Sequence, residues 1–195
     1  MRSTKAVILA VTSAGLLSVA GCGSGHGSDA KVPTIAEVGS RAHVFTDVAQ
    51  LTERASAVVV ATSTGKLVSK PFPTGGAPTV YVRMHVSKVV SGSVSGTDIE
   101  VVTPGDDVAT GKPALLTGGH YLLFLTPAMY AADQPAGGYA IVGGPAGAYV
   151  APAKSERFTK IDAESHALPQ TITLGSTRLP AVSKSERQLL QEGPA

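Results

Sequence analysis

The segment Thr79-Val80-Tyr81-Val82-Arg83-Met84-His85-Val86-Ser87-Lys88-Val89-Val90 decides the fold. Val80, Val82, Met84, Val86 and Val90 alternate with Tyr81, Arg83, His85 and Ser87. Successive side chains of an extended chain point to opposite faces, so a period of two predicts a strand with one face in a core and one in water. The valines and Met84 are expected inside, and Tyr81, Arg83 and His85 outside.

The flanking sequence supplies partners for this strand. Ala57-Val58-Val59-Val60-Ala61 predicts a preceding strand that runs on toward Lys66-Leu67-Val68, with the Pro- and Gly-rich residues 70–78 as the connection. After a turn at 91–96, residues 98–103 predict a third strand, with Ile99 and Val101 inward and Glu100 outward. Tyr121-Leu122-Leu123-Phe124-Leu125 is apolar on both faces, the pattern of a central strand, and Pro127 is expected to end it because proline has no N–H for the ladder. Shorter strands are expected at 139–142, 148–150 and 157–161. Asp47 is placed to cap a short helix through Glu53 or Arg54, with Val48 and Leu51 on one face. Residues 183–191 predict a terminal helix, with Ser183 and Glu186 spaced as a capping box. Between 162 and 183 no regular element is expected, and no internal repeat is present.

Composition narrows the functional classes. The chain has 195 residues, with Gly 22 and Pro 13, which favours strands and turns over helices. Its 16 Lys and Arg include Arg2 and Lys5; without those two, 14 basic side chains face 14 acidic ones. A neutral chain lacking basic clusters is ill suited to nucleic acid, where phosphate contacts dominate affinity. A single cysteine allows no internal disulfide, so stability rests on a hydrophobic core.

The N-terminus reads as a targeting segment. Arg2 and Lys5 precede an apolar run that starts at Ala6, the layout of a secretory signal peptide. From Ala6 to Ala20 the run spans about 22 Å as a helix, short of the roughly 30 Å hydrocarbon core of a bilayer. It ends in Leu17-Ser18-Val19-Ala20-Gly21-Cys22, and Val19-Ala20-Gly21-Cys22 resembles the lipobox of bacterial lipoproteins. That resemblance implies cleavage before Cys22 and diacylglycerol on its thiol, commonly with a further acyl chain on the new amine. It implies a domain held at the cell membrane on the extracytoplasmic side. Two or more acyl chains give stable anchoring where one is marginal. The residues after it, Gly23-Ser24-Gly25-His26-Gly27-Ser28-Asp29, have the composition of a flexible tether. The expected organisation is a signal peptide at 1–21, a linker at 22–46, a barrel domain at 47–162 and an extension with a short helix at 163–195.

The order of strands, with Lys88-Val89-Val90-Ser91-Gly92 and Gly118-Gly119-His120-Tyr121-Leu122-Leu123-Phe124 between them, is similar to the OB-fold barrel of netrin-like and metalloproteinase-inhibitor-like domains and of uncharacterised secreted actinobacterial lipoproteins. The resemblance covers roughly 47–161. The expected fold is therefore mainly β: a small antiparallel OB-like β-barrel with a short N-terminal helix and a C-terminal helix. Inhibitors of that class present a disulfide-pinned N-terminal cysteine to a catalytic metal. The one cysteine here is Cys22, about 25 residues before the barrel, so that mechanism does not carry over.

Candidate sites follow from what the strands expose. OB-folds bind ligands over strands two and three, which makes Tyr81, Arg83 and His85, joined by Glu100, the candidate binding surface. Its ligand would be an envelope protein or a small molecule. The five histidines, His26, His43, His85, His120 and His166, show no metal-ligand spacing, and Asp106-Asp107 lacks the further oxygen ligands of a calcium loop. No Gly-x-Ser-x-Gly elbow is present, and Gly143-Gly144-Pro145-Ala146-Gly147 lacks the lysine of a phosphate loop. No cofactor, metal set or catalytic residue is assigned. The alternative reading is a small envelope hydrolase with a site near His85, His120 and Asp106-Asp107.

Overall fold

The computed structural model describes residues 32–33, 35, 43–116, 119–184 and 186–192. Cys22, His26, the signal segment and most of the linker lie outside the described residues. In chain order the elements are α1 (Val48–Glu53), β1 (Ala57–Lys70), β2 (Thr79–Gly92), β3 (Asp98–Val102), β4 (Asp106–Asp107), β5 (Lys112–Pro113), β6 (His120–Ala131), β7 (Gln134–Ile141), β8 (Ala148–Ala151), β9 (Arg157–Lys160), β10 (Thr171–Thr173) and α2 (Glu186–Glu192). The mainly-β class expected from the alternation is what the chain forms.

Five strands make a ring. β1 pairs with β2, β2 with β3, β3 with β7, β7 with β6, and β6 returns to β1. All these pairs are antiparallel except β3–β7, which is parallel and meets only at Val101↔Tyr139. The ring is thus barrel-like but unevenly closed, the partly open five-stranded arrangement of OB-folds. β8, β9 and β10 extend the sheet from the edge of β6 beyond the point where β7 leaves it.

The apolar run of β6 is explained by two cores, one on each side of the sheet. Ala57, Val59, Ala61, Val82, Met84, Val86, Tyr121, Leu123 and Leu125 fill the inside of the ring. Val58, Val60, Leu122 and Phe124 point outward into a second core with Phe45, Leu51, Tyr149, Phe158 and Ile172. The short α1 helix, capped by Asp47 accepting from the Gln50 N–H at 2.9 Å, delivers Leu51 to that second core. The stretch after Asp162, expected to be irregular, contributes β10 and the buried Leu168, Ile172 and Leu174.

Three sequence expectations are corrected. Alternation in β2 holds for Val82, Met84 and Val86 but not for Val90, which packs against the second core. The pairing of β1 with β2 shifts register three times, and the first two shifts skip Val90 and Ser87; such bulges reverse which face a side chain meets. Ser87 Oγ donates to the Val60 carbonyl (3.1 Å) at one of these shifts. Pro127 does not end its strand, because β6 runs to Ala131 with register shifts after Pro127. Bulges are where a strand tolerates a residue without an N–H. The terminal helix starts at Glu186, three residues after the proposed cap Ser183.

Phe124 is fully buried in the second core. Phe124→Ala should lower unfolding free energy by about 3–5 kcal/mol in a urea titration, the usual cost of truncating a buried aromatic side chain.

Candidate binding surface

Strands β2 and β3 lie in register so that Arg83 faces Glu100 and His85 faces Asp98. Side chains of directly opposed residues on one face of a sheet are within contact distance, and both pairs close. Arg83 Nη2 donates to Glu100 Oε1 at 3.0 Å, and His85 Nδ1 lies 2.9 Å from Asp98 Oδ1. The His85 and Asp98 side chains are 59% and 61% exposed, so this end of the face is open to water. Three of the four expected surface residues, Arg83, His85 and Glu100, therefore come together. Asp98 was missed, since only the strand register reveals it as the partner of His85.

Glu100 is held from a second side. Lys70 Nζ lies 2.9 Å from Glu100 Oε2 and also donates to the carbonyls of Gly137 (3.2 Å) and Ala136 (3.5 Å). Those carbonyls belong to the part of β7 that runs past β3 without pairing. Lys70 thus clasps the open seam of the ring, joining the end of β1 to β3 and β7. The hydrogen bond from Lys70, and next the one from Arg83, hold the Glu100 carboxyl below its ordinary ionisation range.

Tyr81 corrects the expected surface. It shares the outward side of β2 with Arg83 and His85 but is 0% exposed, and it belongs to neither core. The Lys70 ammonium sits 4.3 Å above its ring centroid. Beneath it the chain is glycine: a Cβ on Gly138 would lie 3.3 Å from the Tyr81 ring and 2.6 Å from the Glu100 carbonyl. The Tyr81 hydroxyl is buried without a hydrogen-bond partner. Burial, then the nearby Tyr130 phenol and Glu100, push its ionisation upward. Above this point two hairpin tips meet. The Phe72 and Tyr130 rings stack edge-on at 5.0 Å, and the Tyr130 hydroxyl donates to the Pro71 carbonyl at 3.2 Å.

The residues of the hydrolase reading separate into two groups. Thr62 faces His85 on one side and His120 on the other, so Asp98, His85, Thr62 and His120 form one row across four strands. Thr62 Oγ1 is 3.3 Å from His120 Nδ1. The carboxylate in this row is Asp98. Asp107 is buried in its own turn, where it accepts from the Ala109 N–H (3.3 Å) and the Thr110 hydroxyl (2.9 Å), and Asp106 is exposed. His43 and His166 are exposed. Among the described residues no group of three or more His, Cys, Asp or Glu is arranged to hold a metal, and no helix is long and apolar enough to cross a membrane.

A buried polar cluster also escaped the sequence reading. Lys160 Nζ donates to the carbonyls of Ser165 and Leu168, while the Asp162 carboxylate accepts from the Ser165 hydroxyl and the Glu164 N–H. Lys160 lies two residues beyond Phe158 on β9 and so shares its core-facing side, and its ammonium is paired by the loop that follows. This cluster secures residues 161–168 over the second core.

No family model, no curated protein and no solved structure matches this chain.

The linked charge at Glu100 has a measurable consequence. A carboxyl whose folded ionisation lies below its unfolded value contributes stability above that value, about pH 4.3, and loses it as pH falls through the folded one. Glu100→Gln should therefore flatten the loss of stability on acidification below about pH 4.3, read from melting temperatures across an acid series.

Proposed function

We propose that this chain is a lipid-anchored binding module on the extracytoplasmic face of the cell membrane, held by Cys22 and engaging an envelope ligand over strands β2 and β3. The observation that carries the reading is the distribution of cover around the ring. The outer face of β1 before Thr62 and that of β6 from Leu122 to Phe124 are sealed by the second core, while the outer face of β2 and β3 carries Arg83, His85, Asp98 and Glu100 beside water. Functional groups on a rigid sheet face are held in fixed geometry, which suits recognition. The anchor rests on Val19-Ala20-Gly21-Cys22 alone. The balanced charge beyond residue 21 argues against nucleic acid as the partner.

One observation favours a second reading, the row Asp98–His85–Thr62–His120, which sets a hydroxyl between two imidazoles. A hydrolase using Thr62 would cleave an activated acetate ester, and Thr62→Val would abolish the turnover. An unchanged background rate in both proteins removes that reading.

Mass spectrometry of the mature protein should show a chain that begins at Cys22 and carries acyl mass, and an unmodified Cys22 thiol refutes the anchor. Arg83→Ala and His85→Ala should shift stability by no more than about 0.5 kcal/mol, as exposed substitutions do, yet weaken photo-crosslinked capture of the envelope ligand.

A further inference from the structure

The exposed ends of β1–β2 and β6–β7 meet at Phe72 and Tyr130. Phe72 is 37% exposed, one of the few large apolar side chains that face water among the described residues. The β1–β2 tip, residues 71–78, contains no charged side chain, and the β6–β7 tip carries one, Asp133. Directly below lies the polar set Lys70, Arg83 and Glu100, and between the two layers the Tyr81 hydroxyl is buried with nothing to bond. A buried unpartnered hydroxyl is costly, and native proteins keep few of them. Here its cover is the Lys70 side chain, whose ammonium sits 4.3 Å from the ring centroid and is drawn to Glu100 on the exposed side.

From this arrangement we infer that the paired hairpin tips form a subsite for an uncharged glycan, with Phe72 and Tyr130 as the aromatic platform and the Tyr81 hydroxyl as a hydrogen-bond partner once Lys70 moves aside. This names the ligand class of the proposed binding module and rests on that reading. An aromatic ring offers an apolar surface to the C–H side of a sugar, and a few placed polar groups fix its hydroxyls. Glu100 is already neutralised by two cations, so Lys70, Arg83 and Glu100 together leave a single positive charge. That is too little for a polyanion. Arg83, with Nη2 bonded to Glu100 and a 43% exposed side chain, has donors to spare for sugar hydroxyls.

The test uses the full chain in detergent micelles, labelled with 3-fluorotyrosine, and three uncharged tetrasaccharides, of β-1,4-linked N-acetylglucosamine, glucose and mannose. With at least one of them at millimolar concentration, the fluorine resonances of Tyr81 and Tyr130 should shift while that of Tyr149 stays. Tyr81→Phe should keep or raise the melting temperature and weaken that binding about tenfold, the loss of one hydrogen bond. Tyr149→Phe removes the other such hydroxyl among the described residues and should leave affinity unchanged. The inference is overturned if no tetrasaccharide shifts Tyr81 or Tyr130, or if Tyr81→Phe binds as tightly as the parent. It also falls if Tyr149→Phe loses as much affinity as Tyr81→Phe. If the sugars fail while Arg83→Ala and His85→Ala still weaken envelope capture, the glycan falls and the binding module stands. If capture is unaffected too, both fall.

Discussion

The fold depends on the pairing of the first half of β1 with the first half of β6, from Ala57↔Leu125 to Thr62↔His120. Ten of those twelve residues are buried aliphatic or aromatic side chains, split between the inner core and the second core. Burying one such side chain of leucine or valine size is worth about 1.5–3 kcal/mol, against roughly 0–1 kcal/mol for a surface ion pair. A strand pair apolar on both faces has to be covered twice. The ring covers it once, and α1, β9, β10 and the chain beyond Asp162 cover it again. Where the apolar run stops, at Thr62 and His120, the cover stops with it and the row of polar side chains begins. The open face is thus a consequence of where two hydrophobic runs end.

The weakest point of the ring is the opposite seam, where β3 and β7 share one residue pair. Unpaired carbonyls along such an edge invite another strand. Lys70 answers this with donors to two β7 carbonyls and a bridge to Glu100 on β3. Lys70 and Glu100 are 25% and 23% exposed, so water screens the pair only in part. Its value lies in satisfying polar groups that the missing ladder leaves over, more than in Coulomb attraction. Gly138 is needed at the same place, because any larger residue would press on the Glu100 carbonyl.

What the sequence disclosed and what it concealed divide along a physical line. Period-two alternation exposed β2 and β3 and the outward parity of Arg83, His85 and Glu100, because parity is local, and the apolar run 57–61 exposed β1. The apolar run 121–125 likewise announced double burial. Parity is not exposure, however, and Tyr81 shows the difference: it points outward, yet Lys70 from eleven residues upstream closes over it. Asp98 as the partner of His85, and Thr62 as the link to His120, required cross-strand register, which no window of sequence contains. The bulges that turned Val90 to the other core carry no glycine or proline to mark them. Lys160 concealed itself most completely, since a lysine reads as solvated until the carbonyls that hold it are found five and eight residues away.

The N-terminal chain grips the body before β1 begins, and this bears on the proposed anchor. Ile35 forms a bridge with Asp107 and packs against the inner core. Phe45 is buried in the second core, where Gly143 leaves room: a Cβ there would lie 2.5 Å from the Phe45 ring. In the proposed reading, a pull on Cys22 enters the domain through these two apolar contacts. Each one opposes the pull with buried area that has to be exposed before the load moves on. A tether that ran directly into Ala57 would instead load the Ala57↔Leu125 pair, the end of the ladder on which both cores rest. Docking the chain at 35 and 45 keeps that ladder outside the path of the force.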